Sequence, residues 1–164
     1  MGRNKEKVLI VYYSYHYRNT EKIAVVIAEC LAARLSDLKD NEDLTVSDYA
    51  LLGLGGGIDS GKHYREVLDY ARALPITNNH PTFIFSTAGV YSAKKMIKDH
   101  NALRKILVAK GYEIVGEFSC LGHDSYSFLK YFGGINKGRP NQDDLTRAKV
   151  FAKNLNGFIS RTEK

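Results

Sequence analysis

Two stretches of this chain carry residue types and spacings that could do chemistry. The first is Ser14, Tyr15, His16, Tyr17, Arg18, Asn19 and Thr20, which joins a short apolar run to a helical pattern. The first turn of a helix has N–H groups without intrahelical acceptors, and the positive end of its dipole favours a bound anion, phosphate above all. Ser14, Asn19 and Thr20 add side-chain donors, and His16 and Arg18 add positive charge. The same residues would equally serve to cap a helix and meet solvent. The second stretch is Gly55, Gly56, Gly57, Ile58, Asp59, Ser60, Gly61 and Lys62. Gly56–Lys62 fits GxxxxGK, but His63 follows where a nucleoside triphosphatase needs Ser or Thr for magnesium. Gly57–Gly61 has the outline GxSxG, yet Asp59 holds the nucleophile position, so a hydrolase elbow fails. Three adjacent glycines let a flat ligand approach the backbone closely, and they also suit a tight turn.

Other chemistries lack their residues. His16, His63, His80, His100 and His123 show no i, i+4 pairing that would make a metal site, and Cys30 and Cys120 stand alone. No metal and no catalytic residue is assigned. Tyr12 and Tyr13 end the first apolar run where a phospho-accepting receiver domain would need Asp. Tyr15, Tyr17, Tyr91 and Tyr126 fall in ligand-side loops, where an aromatic face can stack on a planar ring.

The elements that must position these residues alternate between two periodicities. Val8–Tyr13, Ala50–Gly55 and Thr82–Ser86 read as strands buried on both faces. A further strand is expected near Leu35–Leu38, and the last over Tyr112–Ser119. Helical spacing covers Glu21–Arg34, with Thr20 or Asn19 as N-cap, then 64–75, Met96–Lys110 with Gly111 as its cap, and Leu145–Ile159. Strands alternating with helices predict an α/β fold, a three-layer α/β/α sandwich on a parallel sheet. Its ligand crevice lies at the carboxyl ends of the strands, in loops 14–20, 55–62, 87–94 and 120–142. The last loop is long and rich in glycine (Gly122, Gly133, Gly134, Gly138).

Length and charge narrow the classes further. At 164 residues, one domain over 1–164 is expected. No stretch approaches the roughly 20 apolar residues of a membrane span, and the apolar run after the N-terminus is too short for a signal peptide, so a cytoplasmic protein with no membrane partner is expected. The net charge of +6 suits anionic ligands or acidic proteins. Its basic residues are scattered and no nucleic-acid motif gathers them, so no nucleic-acid partner is expected.

With the elements placed, VLIVYYSYHYRNTEKIA, GLGGGIDSGKHY, FIFSTAG and GEFSCLGHDSYS...GGINKGRPNQDDL resemble the flavodoxin family, over about residues 7–157 and in the family's order. The resemblance implies strand order 2-1-3-4-5 and FMN as cofactor. It implies that Ser14–Thr20 hold the FMN phosphate. Gly55, Gly56, Gly57 and Ile58, with Thr87, Ala88, Gly89, Val90 and Tyr91, would flank the isoalloxazine and ribityl chain, and His123 and Asp124 would close the site. The chain departs from the family at Arg18, where glycine is usual, and at Asp59, Ser60 and His123, where aromatic residues are common. Tyr91 or Tyr126 would then supply the lost stacking. The resemblance implies an electron carrier, and the positive charge implies a redox partner with an acidic surface. An FMN-dependent oxidoreductase on a quinone or other small acceptor, and a module that has lost FMN, remain alternatives.

Overall fold

A computed structural model describes residues 7–15, 17–124 and 134–160. Five long strands, β1 (Val8–Tyr13), β2 (Arg34–Asp37), β3 (Leu51–Asp59), β5 (His80–Ala88) and β6 (Tyr112–Leu121), pair in parallel in the order β2-β1-β3-β5-β6. Among the long strands this is the expected order 2-1-3-4-5. A two-residue strand, β4 (Lys62–His63), folds back antiparallel onto β3. The helices are α1 (Asn19–Leu31), α2 (Arg65–Ala73), α3 (Ala93–Asp99), α4 (Asn101–Ala109) and α5 (Gln142–Ile159). None of the described helices is long and apolar enough to cross a membrane.

Alternation along each strand divides the core into two layers, because successive side chains leave opposite faces of a sheet. Val8, Ile10 and Tyr12 join Phe83, Phe85 and Phe118 under α1 and α5, whereas Leu9, Val11, Leu52, Leu54 and Ile84 pack under α2 and α4. The glycines of β3 belong to this packing. Gly53 pairs with Phe83 and Gly55 with Phe85 on the neighbouring strand, and a Cβ at either position would lie 2.2 Å and 2.1 Å from the facing ring. The missing side chains are the room the two rings occupy.

That packing corrects the expected loop at 55–62. Gly55, Gly56, Gly57 and Ile58 continue β3 without positive φ, and the chain reverses at Ser60 and Gly61, both left-handed (φ 51° and 78°). Glycine is a local turn signal, but here Phe85, Val67 and Tyr64 fill the space that side chains at 55, 56 and 57 would take. Strand β5 likewise runs on to Ala88, so Thr87 and Ala88 end a strand. The expected helix over Met96–Lys110 is two helices that meet at His100, whose buried ring is held at both nitrogens by the sheet: Ser86 Oγ lies 2.8 Å from Nε2 and Glu117 Oε2 lies 2.9 Å from Nδ1. Helix α5 begins three residues earlier than expected, at a capping box formed by Asn141 and Asp144.

Candidate functional site

The carboxyl ends of β1, β3, β5 and β6 surround a pocket of about 410 Å³ lined by Ser14, Tyr15, Asn19, Thr20, Gly57–Ser60, Tyr64, Thr87–Gly89 and Gly122–Asp124. Its volume falls within the roughly 300–1,000 Å³ usual for cofactor sites.

One end is built on the start of α1. The N-cap is Arg18, not Thr20 or Asn19, and it takes a left-handed conformation (φ 54°, ψ 31°) directly after Tyr17, which is left-handed too (φ 52°). The chain thus keeps at Arg18 the backbone geometry that glycine adopts freely. Asn19 and Thr20 fall inside the first turn, so their own N–H groups have no intrahelical acceptor. Ser14 Oγ accepts from the Glu21 N–H at 3.4 Å, and Thr20 Oγ1 and Thr87 Oγ1 share a buried hydrogen bond of 2.9 Å across the pocket floor. Lys39 Nζ donates to the Ser14 carbonyl at 3.0 Å, which brings a cation from the β2 side to the same loop. Arg18 points outward and grips Glu21 with two nitrogens, and its hydrogen bonds hold the Glu21 carboxyl below the usual carboxylate range. Its guanidinium is therefore not aimed at an anion in the pocket, contrary to the added positive charge expected there from the sequence.

The other end is aromatic and acidic. Tyr64, just after β4, packs edge-on against Tyr13 at 5.8 Å and lies 6.1 Å from Tyr15 between ring centroids. Burial, then the carboxylates of Asp59 and Asp124, push the Tyr64 hydroxyl up to about 12. Ser60 Oγ donates to Asp59 Oδ1 at 3.1 Å. The Asp124 carboxylate lies over Gly89, where a Cβ would approach it to 2.8 Å.

Between these ends the strand-end loops are tied together. Asn19 Nδ2 donates to the His123 carbonyl at 2.8 Å, while Asn19 Oδ1 is buried with no donor among the described residues. Tyr17 stacks on His123 with centroids 4.0 Å apart. Asn136 Nδ2 reaches the carbonyls of Gly89 and Gly122, at 2.6 and 3.3 Å, and Asp124 pairs with Ile135 in a short antiparallel bridge.

Of the residues singled out from sequence, Ser14, Tyr15, Asn19, Thr20, Gly57, Ile58, Thr87, Ala88, Gly89, His123 and Asp124 line this one pocket. Gly55 and Gly56 lie below it, packed on Phe85 and Val67. Tyr17 closes on His123 without lining the pocket. Val90 faces solvent, and Tyr91 turns away to accept from Arg147 Nη2 at 3.2 Å. His16 and Tyr126 lie outside the described residues. Tyr64 and Lys39 were missed. Ser60-Gly61 is a two-residue hairpin turn, the one signal that could have placed Tyr64 at the pocket.

A sequence model of the flavodoxin domain matches residues 9–153. An uncharacterized protein of Methanocaldococcus jannaschii is 44% identical over 149 residues, covering 91% of this chain and 97% of that protein. The chain belongs to the flavodoxin family. Among solved structures, oxidised Flavodoxin 1 from Bacillus cereus superposes with a TM-score of 0.65 at 15% identity, covering 94% of this chain and 97% of that one. A flavodoxin from the domain Archaea gives 0.59 at 10% identity, covering 93% and 99%. At such identities the likeness to these structures concerns the fold.

Proposed function

We propose that this pocket binds FMN and that the chain works as an electron carrier through it. The observation that carries the reading is the pocket's polarity along its length: an anion-favouring helix start with three hydroxyls at one end, tyrosine rings and side-chain-free backbone at the other. The donor set fits the group. The N–H groups of Asn19 and Thr20, with the Ser14 and Thr20 hydroxyls, suit a phosphate. The open Asn19 Oδ1 suits a ligand hydroxyl, since a buried acceptor left unpaired costs free energy that a donor recovers.

When bound, FMN supplies the redox chemistry, taking up and releasing electrons at its isoalloxazine. The chain's residues bind and orient it. Tyr64 and Tyr15 would supply the stacking that the family takes from aromatic residues near Asp59 and His123, in place of the Tyr91 or Tyr126 expected for it. Gly57 and Gly89, which line the pocket without side chains, would let backbone approach the flavin. The carboxylates of Asp59 and Asp124 place negative charge at that end, which would disfavour added electrons on a bound flavin. Tyr17 and His123 clasp the first and fourth loops over the site.

Titrating the purified protein with FMN while following flavin fluorescence tests the reading. Saturable quenching at one FMN per chain is expected. Absence of binding at micromolar FMN would overturn it in favour of a module that kept the fold without the cofactor. Steady-state oxidation of NAD(P)H with a quinone acceptor would instead move a flavin-binding chain to the oxidoreductase class.

A further inference from the structure

Exposed apolar and cationic groups gather on one side of the pocket mouth. The loop that leaves the pocket at Gly89 carries Val90, 60% exposed, into α3, where Ile97 is 59% exposed. Lys94, Ile97 and Lys98 fall at i, i+3 and i+4 and share the outward side of that helix. The β3–β4 turn, whose Asp59 and Ser60 line the pocket, packs against the end of α3: a Cβ at Gly61 would lie 3.9 Å from Asp99 Oδ1. The next residue, Lys62, is exposed.

The charges on this face do not cancel. Lys95 is engaged by the buried Asp99. Lys62, Lys94 and Lys98 have no ion pair among the described residues. The carboxylates facing them are Asp99, already paired and buried, and Asp59, which accepts from Ser60 on the pocket side. Two exposed aliphatic side chains framed by three lysines have the layout of an interface with an apolar centre and a polar rim.

We propose that this face, Val90 and Ile97 framed by Lys62, Lys94 and Lys98, docks an acidic electron-transfer protein beside the pocket mouth. The occupant follows from charge and shape. A second copy docking through the same patch would bring lysines against lysines, since such an interface is self-complementary only in shape. A nucleic acid would engage the lysines and leave the aliphatic centre uncovered. That electrons cross this face rests on the FMN reading; that an acidic protein docks there does not.

The test uses the full chain, isotopically labelled, followed by amide NMR with and without added FMN. The probe is a plant-type [2Fe–2S] ferredoxin, a small acidic one-electron protein; a basic cytochrome c and a DNA duplex serve as controls. With ferredoxin, shifts are expected to cluster at Lys62, Val90, Lys94, Ile97 and Lys98 and to fade at high salt. The double variant Lys94→Glu/Lys98→Glu should weaken binding by about tenfold or more, while Lys149→Glu/Lys153→Glu on α5 should leave it unchanged; each spectrum reports that its variant is folded. Shifts elsewhere, no shifts at all, equal binding of cytochrome c or DNA at this face, or equal effects of the two double variants would overturn the proposal. Flavin absorbance of the same samples reports the cofactor separately, so failure to load FMN is not confused with failure to dock.

Discussion

Gly55→Ala and Gly57→Ala add the same methyl group two residues apart on β3, and the structure predicts unequal consequences. At Gly55 the new Cβ would lie 2.1–2.4 Å from three atoms of the Phe85 ring, against ordinary carbon contacts of about 3.5–4.0 Å. The ring would have to retreat by about 1.5 Å. It is fully buried and neighbours Phe83 at 6.1 Å, so the strain must pass into the sheet or the core. Overpacking of this kind costs about 1–3 kcal/mol, and a rigid, enclosed ring places this variant near 3. At Gly57 the methyl meets Tyr64 Cε2 at 2.5 Å, but that ring stands at the partly open pocket wall and can swing away. Its cost should stay under about 1 kcal/mol, part of it offset by the lower entropy of the unfolded chain. Urea unfolding reads both as shifts in midpoint at constant slope. In a Phe85→Leu background the cost of Gly55→Ala should shrink by at least about 1 kcal/mol, the coupling expected of residues in direct contact. Equal costs at the two glycines, or no coupling to Phe85, would refute the claim that β3 omits side chains to seat the rings.

The buried polar groups under α4 predict a loss of stability in acid. Burial, then the neighbouring His100, holds the His63 imidazole down at about 3 from an ordinary 6.5, so between those values the unfolded chain takes up a proton that the folded chain refuses. Stability should fall as pH drops through that window, by on the order of 1.4 kcal/mol per pH unit at most, and His63→Leu should flatten the slope of urea midpoint against pH. Burial raises the Glu117 carboxyl, but hydrogen bonds from His100 and Arg104 outweigh it and hold it at about 2; its contribution is complete above its ordinary value of 4.5 and is lost as pH falls toward 2. Arg18→Gly should raise the thermal midpoint, because glycine takes the left-handed conformation without strain and the exposed pair with Glu21 contributes little; a lowered midpoint would mean that the Arg18–Glu21 pair holds the loop.

The parallel sheet was legible because apolar strand interiors and amphipathic helices are local patterns, whereas its strand order came from the family resemblance. What the sequence hid depends on partners far along the chain. Gly55–Gly57 look like a loop until Phe85, Val67 and Tyr64 are seen to fill the space above them. The helical period runs unbroken through Met96–Lys110, yet the backbone breaks at His100, whose ring is held by Ser86 and Glu117 from two strands. At the site, the polar run 14–20 announced a helix start that could hold an anion. It could not announce that Arg18 turns outward to Glu21, or that Lys39 arrives from the turn that follows β2. Tyr64 went unnoticed because its place depends on a hairpin only two residues wide.

The most direct test of the central claim compares FMN with riboflavin in the same fluorescence titration, since the two differ by the phosphate assigned to the start of α1. The account predicts one-to-one binding of both, with FMN tighter by about a hundredfold or more, the worth of two charge-assisted hydrogen bonds. Equal affinities would place the phosphate away from Ser14, Asn19 and Thr20, and no binding of either would remove the flavin from the account.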